Sequence, residues 1–157
     1  MTSGVGWTLS LLLVWAFQVP ASRFSFDGVG LSSDFKTVAA RFPHSTPQDQ
    51  YVSLAPQDIH DHISAIEVSG TGRSRRVRIG FETRSKVGRL DYPTCAGVEA
   101  KLVAQYGRPQ EIRQFQEEAS PRADRVWRSP SEELTLLCFR EVRGRRLLAE
   151  AVEITAR

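Results

Sequence analysis

Three segments from the middle of the chain onward read as strands, two of them alternating apolar and polar residues with a period of two, and that period most restricts what the chain can fold into. In RRVRIGFE (Arg75–Glu82), Val77, Ile79 and Phe81 alternate with Arg76, Arg78 and Gly80; ELTLLCFR (Glu133–Arg140) and LLAEAVEIT (Leu147–Thr155) follow. A strand sends successive side chains to opposite faces, so this pattern predicts antiparallel sheet with one face packed and one wet. LTLLCF is apolar at every position except Thr135 and is predicted to be a central strand. Shorter runs predict further strands at Tyr51–Leu54, His62–Val68, Glu111–Gln116 and Arg125–Ser129.

Two segments carry the other period, that of a helix. Phe35, Val38, Ala39 and Phe42 share one face, with Ser33 as cap, Asp34 in the first turn and Pro43 as terminator. Cys95, Val98, Leu102, Val103 and Tyr106 do the same after the cap Thr94, and Gly107 closes the run. Val38–Phe42 can be laid over Leu102–Tyr106. The expected fold class is therefore α+β: two tandem helix-plus-antiparallel-strand units, residues 22–88 and 89–157, forming one compact domain with helices packed on one face of the sheet.

Residues 1–21 read as a secretory leader. Leu9–Phe17 is an apolar core too short to span a membrane, and Val19-Pro20-Ala21 places small residues where cleavage after Ala21 requires them. No Lys or Arg precedes that core. The remaining chain carries all 21 basic and 18 acidic side chains, net +3, and the absence of asparagine excludes N-linked glycosylation. In an exported chain Cys95 and Cys138 read as a disulfide; in a cytoplasmic one they would be buried thiols. A bridge between them would close a loop contributing about 4 kcal/mol on the chain-entropy account. It would also staple the second helix to its sheet, whereas Leu31 stands at the equivalent place in the first unit.

Tyr106-Gly107-Arg108-Pro109 at the end of a helix, Trp127 on a following strand and the opening Gly30-Leu31-Ser32-Ser33 resemble the β-lactamase-inhibitor-protein-like group, which includes small outer-membrane assembly lipoproteins. The resemblance covers about 60 residues of the second unit. It implies a helix-and-sheet fold that binds other proteins by sheet or loop surfaces and performs no catalysis. The chain departs from that group in lacking a lipidation cysteine and in having Phe42-Pro43 where a first Tyr-Gly would stand.

Candidate sites are few. His60-Asp61-His62, with His44, could offer imidazoles to zinc or copper, although solvated histidines are the simpler reading without a third ligand fixed by spacing. Arg73, Arg75, Arg76 and Arg78 at one hairpin and Arg143, Arg145 and Arg146 at the last could form a basic rim for an acidic protein partner or anionic lipid. No aromatic residues interleave with them for stacking on nucleic acid. Trp127 is expected in the core. Glu117-Glu118 and Glu132-Glu133 are expected in water on loops, and no nucleophile motif or Cys-x-x-Cys is present. The reading is an exported non-catalytic binding or accessory protein of the bacterial envelope, without a cofactor, acting by protein–protein contact. The alternative is a small secreted hydrolase or metal-binding protein built on His44, His60 and His62.

Overall fold

A computed structural model describes residues 22–84, 90–116, 121–141 and 146–157; the expected leader lies outside them. Eight strands form one antiparallel sheet in the order β3-β4-β5-β6-β12-β11-β10-β9. They are β3 (Pro47–Gln48), β4 (Tyr51–Ser53), β5 (Ile63–Ser69), β6 (Arg76–Phe81), β9 (Glu111–Phe115), β10 (Arg122–Arg128), β11 (Glu132–Arg140) and β12 (Leu147–Ala156). Two small hairpins stand apart, β1 (Ser25–Phe26) with β2 (Val29–Gly30) and β7 (Thr83–Arg84) with β8 (Leu90–Asp91). The helices are α1 (Phe35–Ala39) and α2 (Cys95–Tyr106), and Gly72–Ser74 makes a single 3-10 turn between β5 and β6.

The period-two segments fold as their pattern dictates. In β6, Val77, Ile79 and Phe81 are buried, and in β11 Leu134, Leu136 and Cys138 are fully covered. β6 meets β12 across the middle of the sheet, from Arg76 opposite Thr155 to Gly80 opposite Ala151. The apolar β11 sits one place off centre, between β12 and β10. The β5–β6 turn depends on Gly70: its φ is +71°, and a Cβ there would meet the Ser74 carbonyl oxygen at 2.1 Å.

The expectation of two tandem helix-plus-strand units in an α+β fold is not met. Strand dominates the described residues, most of it in one eight-stranded sheet, and α-helix is confined to α1 and α2. The main cause lies in α1. It has five residues rather than three turns, and of these only Val38 is buried. Pro43 has no N–H to offer the Ala39 carbonyl, which instead accepts from Phe42 N at 3.0 Å, tightening the chain out of the helix. The cap also differs. Asp34, not Ser33, accepts from Thr37 N at 3.0 Å, while Ser33 Oγ accepts from Gly30 N. In α2 the expected signals hold: Thr94 accepts from Gly97 N, and Gly107, at φ +78°, ends the helix.

The core lies between one face of the sheet and the layer made by α1, α2 and the β1–β2 hairpin. It gathers Phe26, Val29, Val38 and Phe42 with Val98 and Leu102 against Val77, Ile79, Phe81, Leu134, Leu136, Val152 and Ile154. Cys95, in the first turn of α2, is bonded to Cys138 of β11, so the helix is tied covalently to the sheet. Leu31 packs against the same core without such a tie.

Candidate binding face

The strand register assigns each side chain to one of two faces. Opposite the core, β5, β6, β12, β11 and β10 present Ala65, Glu67, Arg76, Arg78, Gly80, Ala151, Glu153, Thr155, Glu133, Thr135, Leu137, Val126 and Arg128. Val126, Leu137 and Ala151 are buried yet stand outside the core cluster. Around them the face is charged, and its charges are organised.

Two ion-pair groups occupy it. Glu153 is shared by Arg76, at 3.2 Å, and Arg78, which also reaches Glu150 at 2.7 Å. Burial acts against the Arg78 charge, but the two carboxylates outweigh it and hold its pKa above the ordinary value. Towards the β9 edge, Glu111, Arg113, Glu133 and Arg128 close a ring. Arg113 contacts Glu133 at 3.0 and 3.2 Å and Glu111 at 3.1 Å, and Arg128 pairs with both carboxylates. Hydrogen bonds from Arg128 and Arg113 lower the Glu111 pKa; for Glu133 the same arginines overcome burial to the same effect. Such a network fixes long side chains on a flat surface and adds little net stability while wet.

Beside the Arg78 group lies a cavity of about 730 Å³. Ala65 and Gly80, opposite each other in the β5–β6 register, lie in its lining, and Tyr51, Tyr92 and Phe139 supply rings. Tyr92 meets Phe139 edge to face at 5.1 Å. Burial first, then Glu82 and Glu150, push the Tyr92 phenol above its usual pKa. Tyr51 is an exposed ring at the end of this face.

The sites expected from sequence take other places. His60 donates from Nδ1 to the Asp58 carbonyl at 3.0 Å, and its Nε2 faces Asp27 at 2.9 Å, with its ring stacked on Phe42. Those contacts, that to the Asp58 carbonyl foremost, raise its pKa. His44 pairs with the Asp58 carboxylate at 2.9 Å, and His62 is exposed at φ +65°. The three imidazoles are structural or solvated, and no group of three His, Cys, Asp or Glu among the described residues is arranged to hold a metal ion.

The basic rim does not assemble at the first hairpin. Arg75 donates to the carbonyls of Leu31, Gly70 and Ser33, while Arg76 and Arg78 are neutralised by glutamates. Arg73 has no ion pair among the described residues. At the last hairpin Arg146 is exposed, and Arg143 and Arg145 lie outside the described residues, as do Glu117 and Glu118. Trp127 is fully buried, its Nε1 donating to the Gly107 carbonyl at 2.8 Å, so the end of α2 is pinned to β10. Glu132 and Glu133 are not loop residues: they open β11. Glu132 is buried and its carboxylate accepts from Phe24 N at 2.9 Å and Ser22 Oγ at 3.2 Å.

Sequence reasoning expected a wet face but missed its ion-pair pattern, because it grouped the arginines of β6 with the hairpin. Part of the signal was present: Glu153 alternates with Val152 and Ile154 and lies opposite Arg78 in the β6–β12 register, whereas Glu150, three positions before it, is passed over where the β11–β12 register shifts. No family model, curated protein or solved structure matches this chain. No described helix is long and apolar enough to cross a membrane.

Proposed function

We propose that this protein is an exported, non-catalytic binding module of the bacterial envelope that engages another protein through the sheet face opposite its helices. The observation that carries the reading is that face itself. It sets one pre-formed ion-pair group beside a ring-lined cavity, a second towards the β9 edge, and leaves Tyr51 exposed at its end. Charged side chains already held in place give a partner a fixed pattern to match, favouring specificity and reducing the ordering cost of association. Tyr and Arg are also the residue types that dominate binding energy at interfaces.

Export is supported by the Cys95–Cys138 disulfide, a bond that persists in oxidising compartments. An acidic partner steered by the hairpin arginines has less support, because Arg75, Arg76 and Arg78 are engaged within the protein. The same holds for anionic lipid.

The test is site-specific photo-crosslinking in envelope preparations of a bacterial host. A crosslinker at Tyr51 or Thr135, on the open face, is expected to trap a discrete protein that one at Ala96, exposed on α2, does not. Equal trapping from all three positions, or none, would remove the open face as the interface.

A further inference from the structure

Among the described residues, the lining of the cavity on the open face is unequal in charge. It includes one cation, Arg78, and two carboxylates, Glu82 and Glu150. Arg78 and Glu150 pair with each other at 2.7 Å, and Glu153 bonds Arg78 as well, so both charges are already engaged and Glu82 is the carboxylate left over. Glu82 makes no side-chain hydrogen bond or ion pair among the described residues, and both carboxylates act on the Tyr92 phenol. Tyr51, Tyr92 and Phe139 contribute rings to the lining. At the floor a Cβ added to Gly80 would be in ordinary van der Waals contact with Ala65, 3.6 Å from its Cβ, and would meet no other residue within 4 Å.

Aromatic faces attract cations through their quadrupole, and carboxylates attract them by charge; an anion meets repulsion from both. A long aliphatic stem carrying a terminal charge suits a cavity with a small-residue floor and an anionic, ring-bearing wall. We infer that this cavity receives the side chain of a lysine or arginine from the protein partner, with the stem over Ala65 and Gly80 and the charge at Glu82 and Tyr92. The inference rests on the open face being the interface, and it gives the partner a basic residue at the contact.

A small probe separates the two claims. The disulfide-bonded, isotope-labelled protein is titrated with Nα-acetyl-lysine methylamide and its arginine counterpart, using norleucine and glutamate methylamides as controls. Saturable shifts are expected at the Ala65 and Gly80 amides and the Tyr92 and Phe139 rings with the two cations. Norleucine and glutamate should give weaker or no shifts. Glu82→Gln should weaken binding by about three- to tenfold, the range of a partly exposed cation–π or charge contact. Ala65→Leu should abolish it by filling the floor. Folding of both variants is verified by retention of the remaining amide spectrum.

Absence of shifts with either cation, or equal binding of norleucine, overturns the cationic occupant. If the probes fail while Tyr51 and Thr135 still trap a partner, only the cavity assignment falls. If the probes bind and the open face traps no protein, a partner's side chain is overturned as the occupant.

Discussion

The hydroxyl of Tyr106 satisfies both backbone groups of Ser25: it donates to the Ser25 carbonyl at 2.7 Å and accepts from Ser25 N at 2.9 Å. Its ring meets Phe24 edge to face at 5.1 Å. The last residue of α2 thereby holds the first strand of the fold, beside Phe24, whose N–H is bonded by the buried Glu132. Tyr106→Phe keeps the ring contact and removes only the hydroxyl, leaving two backbone groups without a partner. Loss of about 1–3 kcal/mol is expected, read as a lower urea midpoint at unchanged slope. An unchanged midpoint would mean that water replaces the hydroxyl at no cost.

The disulfide joins the first turn of α2 to an interior strand across 43 positions of sequence. On the chain-entropy account its removal releases about 4 kcal/mol of constraint on the unfolded chain, and native disulfides commonly deliver about 2–4. The Cys95→Ala/Cys138→Ala double variant should lose stability in that range while keeping the sheet's circular dichroism. Intact mass after alkylation should gain two alkyl groups only when the protein has first been reduced. Immediate alkylation of the untreated protein would count against the bond and against export.

Much of the sheet could be read directly from residue order because its strands alternate. Val77, Ile79 and Phe81 are apolar every second position, and no other backbone puts all three on one side. The second helix was as plain, from Thr94 to Gly107, since both ends carry capping chemistry. What could not be read were features made by distant partners. α1 was over-extended because its apolar spacing runs to Phe42, whereas the Ala39 carbonyl is denied its bond by Pro43. The β1–β2 hairpin lacks alternation, being two residues on each side, and is held by Tyr106 and Glu132, more than 80 positions away. The pattern on the open face was hidden for the same reason: the charge pairing of Arg78 with Glu150 and Glu153 exists only after β6 and β12 are adjacent.

Asp124 is buried in β10, with Oδ1 accepting from Cys138 N at 3.1 Å and Arg122 near its other oxygen at 3.4 Å. Burial raises its pKa, and the Cys138 amide and Arg122 only partly offset this. A carboxyl whose folded pKa lies above its ordinary 3.8 favours the fold most when protonated. Its contribution is full below the ordinary value and declines as pH rises through the folded value. Asp124→Asn retains an acceptor for Cys138 N without the charge, so its stability should lie within about 1 kcal/mol of the parent or above it at neutral pH. Asp124→Ala leaves the Cys138 amide unpaired and should lose about 1–3 kcal/mol. Equal losses in the two variants would show that the charge, not the acceptor, is what β11 requires.

His60 supplies the clearest pH dependence. Both ring nitrogens face acceptors, the Asp58 carbonyl and the Asp27 carboxylate, so the doubly protonated ring satisfies both and the neutral ring only one. Arg41 pairs with the same Asp27 oxygen at 3.0 Å and works against the second charge, as burial does, yet the net pKa remains raised above 6.5. A histidine with a raised folded pKa contributes stability that is fully present below its unfolded value and is lost as pH rises through its folded value. The difference in unfolding midpoint between the parent and His60→Gln should therefore be largest near about pH 6 and shrink by about pH 8. Because the ring is partly exposed and its ion pair is screened, the difference should also shrink with added salt at the acidic end. A difference that is flat across this range, or that grows with pH, would show that His60 is neutral in the fold and that Arg41 alone balances Asp27.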